Sequence, residues 1–208
     1  MVIDAQRRRP RSTSTRRMSD TRTAEVLSVA LDELVRAGYE ALTMDQVAAA
    51  AHTSKATLYR QWHNKAGLVV AALARGCPAL PRRVSTGSLR EDLLALAAGA
   101  VPMSEEQVRL FAALSHVVRA DPSFGALVRD ALIAPNLAAI EAILADAVER
   151  GEVDAANPAL AMVPKLLVAI GIGHPLVDGN PLERRFFEQL VDRVVLPILA
   201  TSGRAPDR

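Results

Sequence analysis

The sequence predicts an all-α protein, with a small helical head at the N-terminal end and a larger helical body after it. Half of the 208 residues are hydrophobic, mostly Ala, Leu and Val, while aromatic residues make up only 3%. A core of that composition has to be packed from aliphatic helices. Apolar residues recur at helical spacing through most of the chain, and Gly or Pro falls between the periodic segments. Charge divides the chain the same way. Residues 1–75 hold 12 Lys and Arg against 7 Asp and Glu, a net of +5, and residues 76–208 hold 13 against 16, a net of −3. The overall +2 thus hides a basic head on a mildly acidic body, which suits a polyanionic partner for the head alone.

Residues 1–19 form a basic arm with Arg7, Arg8, Arg9, Arg11, Arg16 and Arg17 among Ser, Thr and Pro. With no apolar periodicity to bury, it is expected to order only on a partner. Arg9 and Arg11, around Pro10, suit a narrow minor groove; the competing reading is a solvated tail. A helix follows over about 21–37, carried by Val26, Leu27, Ala30, Leu31, Leu34 and Val35 and stopped by Gly38. Tyr39 and Leu42 lead out of it as core.

The stretch 43–65, TMDQVAAAAHTSKATLYRQWHNK, scans as two short helices around a polar turn. Met44, Val47, Ala48 and Ala51 give the first helix one apolar face, behind Thr43 as N-cap. Ser54 starts the second, in which Leu58 and Trp62 face inward. Lys55, Thr57, Arg60 and Gln61 lie on the other face, flanked by Tyr59 and His63, all able to donate to phosphates or base edges. This is the layout of a helix-turn-helix whose second helix enters a DNA major groove. Asn64 then caps a fourth helix with Leu68, Val69, Ala72 and Leu73, ended by Gly76 and Pro78. The domain so defined covers 20–75.

Residues 76–88 read as a connector, and 89–200 as the helical body, before a short tail at 201–208. Ser88 and Glu91 have capping-box spacing ahead of Leu93, Leu94, Leu96 and Ala97. A helix over 105–120 is expected to bury Val108, Phe111, Ala112 and Val118. Asp121-Pro122 opens a long helix to about residue 150, with a kink or break expected at Pro135. The last two helices, about 157–171 and 182–200, are separated by a cluster of Gly, His, Pro, Asp and Asn. Both are apolar on more than one face, so each must be covered from two sides. Pro164 and Pro197 argue that neither is straight.

The run TMDQVAAAAHTSKATLYRQWHNKAGLVVAAL strongly resembles the DNA-binding signature of the TetR family of bacterial transcriptional regulators, specifically over about 22–73. By that resemblance Lys55, Ala56 and Thr57 meet base edges, Ala56 offering only a methyl contact, as to a thymine. Thr43, Ser54, Tyr59, Trp62, His63 and Lys65 meet phosphates or support the helix. The resemblance also implies a double-stranded DNA operator, a homodimer paired through the last two helices (Leu166, Ile170, Phe187, Leu190, Val191 and Val194) and a small-molecule effector in the body. Met103, Phe111, His116, Phe124, Met162, Lys165 and His174 are the candidate lining, with His116 or Lys165 placed to fix a polar group on a mainly apolar ligand. The family's usual mode is repression. One departure stands out: members carry Gly then Val in the turn where this chain has His52 and Thr53. The glycine suits a positive φ, which His tolerates at a strain of about 1 kcal/mol.

Other classes find little support. Cys77 alone excludes an internal disulfide framework and fits a reducing cytoplasm. The histidines at 52, 63, 116 and 174 lack metal-ligand spacing, and no Gly-rich phosphate loop or partnered nucleophile occurs, so no catalytic residue, metal or cofactor is expected. No apolar run is expected to reach the roughly 18 residues of a membrane span, since Lys165 and the Gly-His-Pro cluster at 173–175 interrupt the best candidate. The arginine-rich start is followed by no apolar h-region, which argues against a secretory signal. The competing reading is a helical adaptor or ligand-binding protein that has lost sequence-specific DNA binding, motivated by the His52-Thr53 turn.

Overall fold

The computed structural model describes residues 18–76, 80–81, 84–98, 105–179 and 182–200, and every regular element among them is helical. In the head, α1 (Asp20–Ala41) starts at Ser19, whose hydroxyl accepts from the Arg22 amide at 3.3 Å. It buries Val26, Leu27, Ala30 and Leu34, while Val35 is exposed. Gly38, at φ 76°, interrupts the helical backbone where the sequence placed its end. The short helices α2 (Met44–Ala50) and α3 (Lys55–Trp62) follow, and α4 (Lys65–Gly76) packs along α1.

These four helices do not close a core by themselves. Their buried residues form one cluster with Leu110, Leu114 and Val117 of α6 (Glu105–Ala120), with Phe124 of α7 (Pro122–Val128) and with Leu132. Phe124 is fully buried and its ring sits 4.8 Å from that of Tyr39. The expected buried face of α6 shifts accordingly: the described stripe is Leu110, Leu114 and Val117, with Val118 beside it, while the side chains of Val108, Phe111 and Ala112 lie outside the described set.

A second cluster joins α5 (Leu89–Ala98), α8 (Ala134–Glu149), α9 (Val163–Asp178) and the final helical run. That run is α10 (Arg184–Leu190), a π turn (Val191–Val195) and α11 (Leu196–Ala200). A second π turn, Arg129–Ile133, joins α7 to α8. The expected break at Pro135 is therefore absent. A helical proline lacks its own donor and its ring crowds the carbonyl four residues back. In both runs the residue just before the proline reaches back one residue further, Ala134 to the Arg129 carbonyl and Leu196 to the Val191 carbonyl. Each π turn thus absorbs a proline, Pro135 or Pro197, without ending the helix.

The π turn Val191–Val195 also sets a face. Phe187, Val191, Val195 and Leu199 are all buried, at a spacing of four. On an ideal helix the first and last of these would stand about 120° apart, and one inserted residue turns back about 100° of that.

Two sequence expectations are corrected here. The penultimate helix does not end near residue 171; α9 runs through Gly171, Gly173, His174 and Pro175 to Gly179, which ends it at φ 71°. Pro164 does not bend it, because it stands in the first turn, where a missing donor costs nothing. Asn157, buried ahead of a 3-10 turn (Pro158–Ala161), donates to the carbonyls of Ile198 (3.1 Å) and Leu199 (2.9 Å) and so holds the end of α11. With Pro135 inside a helix, Pro122–Glu149 becomes long and apolar enough to cross a membrane by length and composition. Its Phe124, Leu132, Ile140, Ile143, Leu144 and Ala147 are buried in the two cores instead.

Candidate nucleic-acid interface

The reading pair is built from local caps. Thr43 and Gln46 form a capping box, the Gln46 amide donating to Thr43 Oγ1 (3.2 Å) and the Thr43 amide to Gln46 Oε1 (2.8 Å). At α3, Ser54 Oγ accepts from the Thr57 amide at 3.1 Å and meets Thr57 Oγ1 at 2.8 Å. Thr43, Ser54 and Thr57 thus shape helix ends as well as the exposed surface. Leu58 and Trp62 anchor α3 in the core, as the four-residue spacing indicated.

Around that anchor, Ser54, Lys55, Ala56, Tyr59, Arg60, Gln61 and His63 are exposed and Thr57 is half-buried. Apart from the buried Trp62, the candidate contact residues of α3 are therefore at least partly accessible. Two lysines are already engaged. Lys55 Nζ lies 2.7 Å from Asp45 Oδ2, and that hydrogen bond raises its pKa further. Lys65 Nζ donates to the carbonyls of Tyr39 (2.9 Å) and Glu40 (3.4 Å) and stands 4.4 Å from the centre of the Tyr39 ring. Lys65 therefore ties α4 to the end of α1, a supporting role. Arg9 and Arg11 lie outside the described residues.

The turn bears out its expected backbone. His52 has φ 48°, the left-handed conformation for which members carry glycine. Three features escaped sequence reasoning. Arg22, from the first turn of α1, donates through Nη2 to the carbonyl of Ala51 and, at 3.1 Å, to that of His52, while Nη1 pairs with Glu25 at 2.7 Å. His63 has φ 66° and makes the corner between α3 and α4. At Gly67, a Cβ would lie 2.3 Å from the Trp62 carbonyl oxygen, so only glycine lets α4 approach the end of α3 this closely. The Asn64 cap was legible: its Oδ1 accepts from the Gly67 amide at 2.8 Å.

The candidate effector residues are not gathered in the same way. Phe124 belongs to the core shared by head and body, where no ligand reaches it without repacking. His116 and Lys165 are exposed, and Met162 is 68% exposed. His174 is half-buried, its Nδ1 2.9 Å from Asp178 Oδ2 and its ring 4.4 Å from that of Phe186. Met103, and the side chain of Phe111, lie outside the described residues.

The proposed pairing residues divide as well. Phe187 and Val191 face the chain's own core, which removes them from any contact between copies. Leu166, Ile170 and Leu190 are half-buried, and Val194 is 41% exposed. Phe186, Val194 and Ile198, with Val177 on α9, are the large apolar side chains that this end of the body exposes.

Comparison with known proteins places the two parts. Residues 26–72 match the family described as bacterial regulatory proteins, tetR family, and residues 84–194 match the tetracyclin repressor-like C-terminal domain. A DNA-binding transcriptional repressor TetR of Mycobacteroides abscessus is 37% identical over 194 residues, covering 89% of this chain and 97% of that protein. An uncharacterised HTH-type transcriptional regulator of Mycobacterium tuberculosis is 34% identical over 181 residues, covering 87% and 89%. Among solved structures, the TetR family transcription regulator SCO0332 superposes with a TM-score of 0.59 at 25% identity, over 90% of this chain and all of that one. The flavonoid-responsive regulator FrrA shares the fold at a TM-score of 0.64 and 19% identity, over 90% and 100%. Matched over both its head and its body, and along nearly the whole of a mycobacterial relative, the chain belongs to the TetR family of bacterial transcriptional regulators.

Proposed function

We infer that this regulator represses transcription by binding a palindromic operator as a homodimer, and that a small, mainly apolar effector in the helical body releases it. The observation that carries the DNA-binding part is the exposed face of α3, with Lys55, Ala56, Arg60 and Gln61 presented around the buried Leu58 and Trp62. The Mycobacteroides repressor supports the sign of regulation. Two-fold pairing through the exposed apolar residues of the last helices would set two reading helices about one DNA turn, roughly 34 Å, apart. An effector acts only if it binds one arrangement of the body better than the other. The relatives are regulators, and we read this chain as a cytoplasmic binding protein rather than an enzyme.

Selection of genomic DNA fragments by the full-length protein tests this reading. A short palindrome should be enriched, bound with an affinity that falls steeply with salt as phosphate contacts release counterions. No enrichment would favour the helical adaptor instead. A thermal-shift screen against hydrophobic small molecules checks the effector, and absence of stabilisation across a broad set removes it.

A further inference from the structure

We propose that Arg22 is a positioning residue for DNA recognition, clamping the turn that aims the reading helix. The inference rests on the reading of α3 as the operator-contacting helix. It starts from two features that meet in one place. The turn between α2 and α3 contains His52 at φ 48°, a conformation that side-chain-bearing residues adopt reluctantly. The same turn stands at the negative dipole end of α2, where the Val47, Ala48 and Ala49 carbonyls accept from the Ala51, Thr53 and His52 amides and the Ala51 and His52 carbonyls come next along the chain.

Arg22 answers both. It stands about thirty residues away in sequence, in the first turn of α1, and its Nη2 donates to the carbonyls of Ala51 and His52. Glu25, one turn on along α1, holds the guanidinium from its other side through Nη1 at 2.7 Å. Arg22 is itself fixed by the Ser19 cap, whose hydroxyl takes its amide hydrogen. A cation is thus placed against the end of α2, on the peptide units that flank the left-handed residue.

The consequence falls on α3. That helix has eight residues, and its buried anchors are Leu58 and Trp62 alone. Two anchors one turn apart fix which face points inward, but leave tilt to whatever holds the first turn. That is the Ser54 cap and the turn before it. In a chain with glycine at 52 the turn would take its shape without strain; with His52 it depends more on the clamp. The His52 substitution and the Arg22 clamp are therefore expected to be coupled.

The test uses the full-length protein and four versions: the natural chain, Arg22→Ala, His52→Gly and the double variant. Each is titrated against the palindromic DNA that the natural chain selects, over a range of salt. Arg22→Ala should weaken operator binding about tenfold, the order expected when hydrogen bonds to a charged group are removed. His52→Gly should recover most of that loss, and should improve binding more in the Arg22→Ala background than in the natural one. The slope of log Kd against log salt should be the same in all four. A slope lowered by about 1.8 in Arg22→Ala, about 0.9 for each protomer of the dimer, would show a lost phosphate contact instead, and additive effects of the two substitutions would show no clamp; either result overturns the proposal. Amide hydrogen exchange without DNA gives an independent reading. Arg22→Ala should speed exchange at Thr53, Thr57 and Leu58 several-fold, with α4 unchanged, and His52→Gly should restore protection. Unchanged exchange at those amides also overturns the proposal. If the natural chain selects no DNA, the regulator reading fails, while the exchange data still decide the clamp.

Discussion

Removing the Asp92 carboxylate should destabilise the body by an amount that disappears in acid. Asp92 lies on α5 with a fully buried side chain. Its Oδ1 accepts from the amide (2.5 Å) and hydroxyl (2.7 Å) of Thr86, and its Oδ2 from Arg150 Nη2 at 3.0 Å. Arg150 also pairs with Glu152, whose Oε2 accepts from the Leu89 amide at 2.8 Å. One network thus fastens the segment before α5, the start of α5 and the end of α8. Breaking a fully buried pair costs about 3–5 kcal/mol. Here Arg150 is 26% exposed and keeps Glu152, so Asp92→Asn is expected to cost about 2–3 kcal/mol at neutral pH. For a chain of this size that is a fall in Tm of roughly 5–10 °C.

The pH dependence follows from the native pKa. Burial alone would push the Asp92 carboxyl up, but the Thr86 amide and hydroxyl and the Arg150 guanidinium outweigh it and hold the pKa below the ordinary value. A depressed carboxylate contributes stability that is complete above the unfolded pKa, about 3.9, and is lost as pH falls through the folded pKa. Glu152, held down chiefly by the Leu89 amide, behaves alike. Urea unfolding of the natural chain and of Asp92→Asn, at one protomer concentration from pH 7 to pH 3, measures the difference directly. It should shrink as the pH falls. A difference under about 0.5 kcal/mol at pH 7, or one unchanged at pH 3, would refute the reasoning.

Three further outcomes are expected. Gly67→Ala forces a Cβ against the Trp62 carbonyl at 2.3 Å, so α4 and α3 must part; operator binding should fall more than about tenfold while circular dichroism stays helical, and unchanged binding in a gel shift would contradict the close approach. Asp45→Asn frees Lys55 from a pair whose members are 50% and 68% exposed; such pairs are weak, so binding to non-specific DNA should tighten only about two- to fivefold at low salt, as anisotropy would show. Val194→Asp, on an exposed apolar site, should shift sedimentation toward the monomer without unfolding the chain; an unchanged dimer would move the pairing surface elsewhere.

What could be read from the sequence was what depends on near neighbours. Thr43, Ser54 and Asn64 are caps whose partners lie within one turn, and each caps the helix the sequence assigned to it. The left-handed residue at 52 was legible because a glycine was missing from a known pattern. Arg22 was not, because its partners lie across the fold and a basic residue near a basic arm carries no distinguishing mark. Pro135 and Pro197 misled because a proline in a helical pattern signals a break unless an extra residue is taken up before it, and nothing in the periodicity showed that register change. The inner and outer faces of the last helix could not be separated for the same reason. With apolar residues on several sides, only the π turn determines that 187, 191, 195 and 199 face inward together.

The π turn at Arg129–Ile133 has a place in the fold as well as a cause. Phe124 and Leu132 belong to the core that holds the DNA-reading head, whereas Ala139, Ile140, Ile143, Leu144 and Ala147 of the same continuous helix belong to the core of α5, α9 and the last helices. The register change lies at the end of the first core, just before Pro135 and Asn136. Asn136 holds the chain there from two sides, donating to the Leu132 carbonyl at 2.9 Å and accepting from the Leu80 amide, in the connector, at 2.9 Å. Close-packed cores do not deform continuously; they shift between discrete arrangements. A rearrangement in the second core that moves α8 must therefore be taken up at this junction or passed to Phe124, and from Phe124 to Tyr39 and the end of α1 that Lys65 secures. One helix crossing both cores gives the body a mechanical hold on the reading helices that a flexible linker alone could not provide.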